Sequence, residues 1–269
     1  MISTPSHSKL KHLRKVFALY CFLVIADLRN GSASGRLNWG WILAQPIAQI
    51  TLYSVVFGIF MSQRGTTFAT PGSYIVYLCS GFFCWLGFSE TLSRASTAQI
   101  EGSTLIKGRG IPPILFPLKA AGAAWTISII GIILTLIMAP FAGVTPVPAW
   151  FVLPLLVMSL IILSMGIALV LSPITTLDRN VSRSVNLLLP LIFWATPVVY
   201  EPSILPAWAQ KIQVWNPLFP GITSIHELLL FGITPSTQRW CEIFFISVSS
   251  LAVGSWAARR LDSMIRDVL

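Results

Sequence analysis

Between Lys119 and Asp178 the chain carries no charged side chain. Two apolar runs, residues 118–141 and 150–171, dominate that interval, and the short turn joining them at 142–148 is also uncharged. Each run is about as long as a helix needs to be to cross the ~30 Å hydrocarbon core of a bilayer. In hydrocarbon every backbone N–H and C=O must be paired within the protein, which a helix does for itself. The rest of the sequence agrees: of 269 residues, 55% are hydrophobic and only 10% charged. Soluble domains carry about 25% charged residues. This chain cannot cover a soluble surface, so the expected fold is an all-α integral membrane protein.

Taken in order, the sequence predicts six transmembrane helices, at about 39–61, 71–89, 118–141, 150–171, 185–200 and 240–258. Residues 1–38 form an N-terminal segment, basic at Lys9, Lys11, Arg14 and Lys15 and then apolar from Val16 to Ala26. Eleven apolar residues are too few to span, so this is either a secretory signal peptide or a helix lying in the interface. Residues 259–269 form a short polar tail. Counting lysine and arginine by side decides between the two. With both ends on one side, that side holds 15 of the 18 and the other holds Arg64, Lys211 and Arg239. Positive charge concentrates in the cytoplasm. Both termini are therefore expected there, the N-terminal helix is interfacial, and the net charge of +9 reflects topology rather than nucleic-acid binding.

The chemistry is defined as much by what is missing. Gradient-coupled transporters place ionisable groups inside the membrane, and the span interiors here have none; Glu90, Arg239 and Glu242 lie at span ends. There is no phosphate-binding loop of the G-x-x-x-x-G-K-[ST] type and no catalytic triad or carboxylate pair. The four cysteines form no CxxC and the three histidines are scattered, so no metal or other cofactor is expected in this chain. A transporter of this kind must draw its energy from a partner.

Three segments are candidates for function. The first is the polar connection 94–117, with Arg94, Gln99, Glu101, Lys107 and Arg109 and a Gly/Pro exit. It reads as a short polar helix over residues 95–106 on which a cytoplasmic motor could press. The second is a set of aromatics deeper than an interfacial belt requires: Tyr74, Tyr77, Phe82, Phe83, Trp85 and Phe88 in span two, with Phe193, Trp194 and Tyr200 towards the end of span five. Sugars stack their C–H faces on such rings, and a ring-lined path lets a polar chain slide. The third is the apolar segment 201–238, where Leu205, Trp208, Ile212 and Trp215, and then Ile222, Ile225 and Leu229, recur at helical spacing. It predicts two short amphipathic helices, on the outer interface or re-entering the membrane, the second closed by Gly232. Ser250, Gly254 and Ala258 repeat at small-xxx-small spacing and are expected to pack within the chain.

Several motifs resemble a known family. They are Gly35-Arg36-Leu37-Asn38-Trp39-Gly40-Trp41 followed by Gln45-Pro46, Asp178-Arg179-Asn180-Val181, Phe193-Trp194-Ala195-Thr196-Pro197-Val198-Val199-Tyr200, Leu205-Pro206 and Trp215-Asn216-Pro217. The chain resembles the membrane subunit of type-2 ABC exporters for lipid-linked polysaccharide, the O-antigen and capsule export permeases. The resemblance implies a homodimer in the bacterial inner membrane with two nucleotide-binding subunits that hold ATP and magnesium. It makes the polar helix near 95–106 a coupling helix. It makes the paired helices with Tyr200, Leu205, Trp208, Ile212, Trp215, Phe219 and Ile225 a periplasmic gate. It also gives Arg29 and Arg36 the pyrophosphate of a polyprenyl-linked glycan. Two other functions fit the sequence: a permease of the same fold exporting a drug or lipid, and a membrane-bound sugar-lipid enzyme, for which Asp178 with Arg179 is the one weak catalytic candidate.

Overall fold

A computed structural model describes residues 5–31, 44, 47–56 and 71–268. Within α1 the side chains are described for residues 14–28. The expected Arg36 site, the 35–41 motif and most of the first span lie outside the described residues, as does the side chain of Arg29. Every regular element described is helical: α1 (Pro5–Gly31), α2 (Ile47–Val56), α3 (Pro71–Glu101), α4 (Ser103–Arg109), α5 (Leu115–Met138), α6 (Leu153–Leu177), α7 (Asn180–Ala195), α8 (Ala207–Gln213), α9 (Phe219–Phe231) and α10 (Thr237–Val268). Short 3-10 turns at Pro148–Val152 and Pro202–Ile204 lead into α6 and α8.

Among the described residues, four helices are long and apolar enough to cross a membrane: Gly72–Glu101, Leu115–Met138, Pro148–Leu177 and Thr237–Val268. The 16 residues of α7 reach only about 24 Å at 1.5 Å per residue. The span expected over 185–200 is displaced: α7 begins at Asn180, and residues 196–200 form a turn. The reason is local. Asp178 Oδ1 accepts the Asn180 N–H at 2.9 Å and starts the helix early, while Pro197 ends it.

Three close contacts at glycines, two against rings and one against backbone, bring the long helices together. Trp125 of α5 lies against Gly87 of α3, and its indole N–H donates to Ser164 Oγ of α6 at 2.8 Å. Gly131 of α5 receives the Phe83 ring. Gly254 of α10 meets the backbone of Gly166 in α6, where Ser250 Oγ donates to the Leu163 carbonyl at 3.1 Å. The small-residue repeat of span six thus packs within the chain, with Ala258 buried beside it.

α3 also departs from its expected end at residue 89. It runs unbroken to Glu101, so residues 95–101 belong to the long helix and the separate polar helix is only α4. The polar residues here are satisfied inside the bundle. Ser96 Oγ donates to the Ser93 carbonyl at 2.6 Å and lies 2.9 Å from Ser182 Oγ of α7, and Ser93 Oγ donates to Asn186 Oδ1 at 2.7 Å. Ala95 and Ala98 pack in a small core with Phe116. The helix breaks at Gly102, where any Cβ would enter the Phe116 ring.

α9 differs from a surface amphipathic helix. Ile222, Ile225, Leu228 and Leu229 are buried, as are Ser224 and His226. The helix is packed against α3 and α6, with Gly221 on Leu160 and the His226 ring 3.7 Å from that of Tyr77. Gly232 caps it in the left-handed region (φ 67°), as its position after the apolar repeat predicts.

Candidate functional site

α7 stands between two cavities. The smaller, about 310 Å³, lies between α2, α3 and α7. Its ring wall is Tyr53, Phe82, Trp85, Phe193 and Trp194. Tyr53 stacks on Phe193 at 5.8 Å between centroids, Trp85 meets Phe193 at 5.5 Å, and Trp194 meets Phe193 edge-on at 5.4 Å. Beside the rings the lining carries polar groups at Gln49, Ser89, Glu90, Ser93 and Asn186, with Leu86, Leu189 and Pro190 between them. Flat apolar faces beside amide and hydroxyl groups are what a sugar ring needs, since its C–H faces stack and its hydroxyls hydrogen-bond.

The larger cavity, about 660 Å³, lies on the other side of α7. It runs from Phe88 and Leu92 of α3, past Ile167 of α6, to Tyr200, Leu205, Trp208 and Ile212, and its walls are almost wholly apolar. Trp194 borders both cavities.

The expected pathway aromatics therefore divide. Phe82, Trp85 and Trp194 line the smaller cavity; Phe88 and Trp194 line the larger. Phe83 faces α5. Tyr74 and Tyr77 are buried and hold the turn after α7. Tyr74 donates to the Val199 carbonyl at 3.0 Å, and Tyr77 to the Pro197 and Tyr200 carbonyls at 3.1 and 2.6 Å. The same turn is fixed from the other side: Gln213 Nε2 donates to Tyr200 Oη, which donates to the Trp194 carbonyl, both at 2.7 Å, and Asn216 Nδ2 donates to Thr196 Oγ1 at 2.7 Å. α3, α7 and α8 are thus joined through residues 196–200. Gln49, Tyr53 and Asn186 were not among the candidates read from the sequence; the signal was an amide inside each of two apolar runs.

Of the coupling candidates, Glu101 is exposed at the end of α3, and Lys107 and Arg109 are exposed on α4. Gly110, with φ 64°, ends α4 in a conformation that glycine adopts without strain. Gln99 is an internal tie: it is 1% exposed. Its Nε2 donates to the Pro113 carbonyl at 3.3 Å and its Oε1 accepts from Thr176 Oγ1 at 3.2 Å. It links the ends of α3 and α6 to the turn leading into α5. Arg94 is engaged with Glu90 and Asp27. Of the gate candidates, Trp208, Ile212 and Trp215 are exposed, Phe219 lies under the Arg239 guanidinium at 5.9 Å, and Ile225 is core.

Residues 20–230 match the ABC-2 type transporter membrane family. The chain belongs to that family and is a multi-pass membrane transport protein. It is 24% identical over 263 residues to an O-antigen export system permease protein RfbA of Klebsiella pneumoniae, covering 97% of this chain and 99% of that one. A second protein of the same name and organism is 26% identical over 244 residues (89% and 90%). The polysialic acid transport protein KpsM of Escherichia coli is 22% identical over 211 residues (78% and 80%).

Proposed function

We propose that this chain is the permease subunit of an ATP-driven exporter that moves a lipid-linked polysaccharide, of O-antigen or capsule type, across the bacterial inner membrane. Two copies would form the conduit, and two separate nucleotide-binding subunits, holding ATP and magnesium, would drive it. Family membership and the names of the relatives support this reading. The observation that carries it is the smaller cavity, where a ladder of rings faces a row of amides and hydroxyls. A drug or lipid pump has no need of that pairing. The exposed Glu101, Lys107 and Arg109 are the proposed contact with the ATPase, and α8 with α9 the proposed outer gate.

Deleting the gene in its native host is expected to abolish surface polysaccharide while lipid-linked glycan accumulates inside the cell. Surface glycan unchanged by the deletion would exclude this function. Glycan synthesis by the purified chain without any ATPase would indicate an enzyme.

The proposed orientation has both termini in the cytoplasm and α8 outside. With exposed Cys241 replaced by serine, Trp208→Cys is expected to react with a membrane-impermeant maleimide on intact cells. Ile225→Cys, at a position 1% exposed, is expected to stay unlabelled. A Trp208→Cys that reacts only after lysis would reverse the topology.

A further inference from the structure

Away from the cavities, one group of charges joins three helices. Asp27, near the end of α1, has Oδ1 2.7 Å from Lys119 Nζ of α5 and Oδ2 3.7 Å from Arg94 of α3. Arg94 also donates from Nε to Glu90 Oε2 at 2.9 Å. Asp27 and Lys119 are only 22% and 21% exposed, so solvent and salt screen them less than a surface pair. Two cations face two carboxylates, so the group has no net positive charge with which to recruit a phosphate.

Two further observations give the group a direction. Within the two turns before Asp27, α1 presses on α5: Tyr20 Oη and Val24 occupy the space where Gly122 would carry a Cβ. α1 is seated on α5 as well as paired to it. The second is position. Arg94 lies about two turns before the end of α3, and Lys119 lies one turn inside α5. Between them is the hairpin that presents Glu101, Lys107 and Arg109. Asp27 grips both arms of that hairpin from a third helix. That helix precedes α2, whose Gln49 and Tyr53 form a wall of the ring-lined cavity.

The geometry points to Asp27 as a positioning residue that carries movement of the α3–α4–α5 hairpin into α1. This rests on the reading of the chain as an ATP-driven permease. A push on α4 displaces the two arms. A carboxylate bound to both obliges α1 to move with them. Without the charge, the arms slide past α1, and ATP is hydrolysed without moving that helix. Partly exposed ion pairs contribute little net stability, so the role is geometric.

The test uses Asp27→Asn, which keeps the size and removes the charge, and Asp27→Glu, which keeps the charge. Each replaces the chromosomal copy, and the permease–ATPase complex is purified from the same cells. Surface polysaccharide per cell is measured beside phosphate release from ATP. Asp27→Asn is expected to lower surface polysaccharide about tenfold while chain abundance and ATP hydrolysis stay within about twofold, and Asp27→Glu to recover most of the export. Export unchanged in Asp27→Asn overturns the proposal. So does a parallel fall of abundance, ATP hydrolysis and export, which is what a merely structural role gives. If export by the unaltered complex persists in a hydrolysis-dead ATPase, the ATP-driven reading falls and takes this one with it.

Discussion

Gly254→Ile is expected to weaken the helical bundle severely. α6 and α10 cross with Gly166 and Gly254 in direct contact. The first atom of any side chain at 254 would enter the Gly166 carbonyl and lie 3.0 Å from Leu169 Cβ. The obstacle is backbone, so no rotamer change relieves it, and the helices must separate. Separation would also pull Ser250 from the Leu163 carbonyl. Overpacking of a close interface costs roughly 3 kcal/mol when the backbone must move, and small residues are what allow membrane helices to approach this far. Against a total stability of about 5–15 kcal/mol, that is a large loss. Monodispersity in detergent and the temperature of half-aggregation report it. Val253→Ile, one residue away on an exposed face, is expected to leave both unchanged. A Gly254→Ile protein as monodisperse and heat-resistant as the parent would mean that this crossing does not hold the bundle together.

The same contact shows what a membrane sequence discloses. The repeat of Ser250, Gly254 and Ala258 marks a close-packing face, because only small residues permit that approach. The partner face in α6 meets this repeat at Gly166, which lies outside the small-residue spacing of Ser164, Ala168 and Ser172 in the same helix, so the contact point became clear only in three dimensions. Helix class and approximate spans were legible because hydrocarbon tolerates few alternatives to an apolar helix. Ends were less so. α3 passes through Ser93, Ser96 and Gln99 without stopping, since these side chains bond to the backbone of their own helix or to polar partners on α6, α7 and the loop before α5. Polarity alone marks a boundary only when water is the sole partner on offer. α9 was ambiguous for a related reason: its helical repeat is plain and read as amphipathic, but the fold buries Ser224 and His226 along with the apolar residues.

The candidate site was legible by residue type more than by direction. Aromatics at positions 74–88 announce themselves, but a helix points its side chains round a full circle. Tyr74 and Tyr77 face the turn at 196–200, Phe83 faces α5, and Phe82 and Trp85 face α7. Gln99 was read as part of a surface for a partner, and it is instead the buried tie among α3, α6 and the turn before α5. Asn186, in an otherwise apolar run, was the missed clue to the polar wall; its amide is held by Ser93 Oγ and the Ser182 carbonyl.

Replacing Trp85 and Phe193 together by leucine is expected to reduce polysaccharide export about tenfold while leaving the amount of folded chain nearly unchanged. Leucine keeps an apolar side chain at both positions and removes the flat face, at a smaller loss of buried volume than alanine would cause. Alanine would be a poorer choice, because emptying two buried ring sites costs about 3–5 kcal/mol each and confuses loss of fold with loss of function. The two rings meet at 5.5 Å between centroids, and Tyr53 stacks on the far side of Phe193 at 5.8 Å, so the pair forms the middle of a continuous ladder. If a sugar–ring contact is worth what a ring–ring contact is, about 0.5–1.5 kcal/mol beyond area burial, two lost contacts amount to about 1–3 kcal/mol, about fivefold to a hundredfold at 1.4 kcal/mol per decade, and tenfold lies within that range. Trp256→Leu, on an exposed stretch of α10, removes an aromatic of the same kind from the outer surface and is expected to leave export intact. Surface polysaccharide measured beside chain abundance separates the outcomes. Full export by the Trp85→Leu, Phe193→Leu chain would take the glycan out of this cavity and send the search to the apolar one across α7.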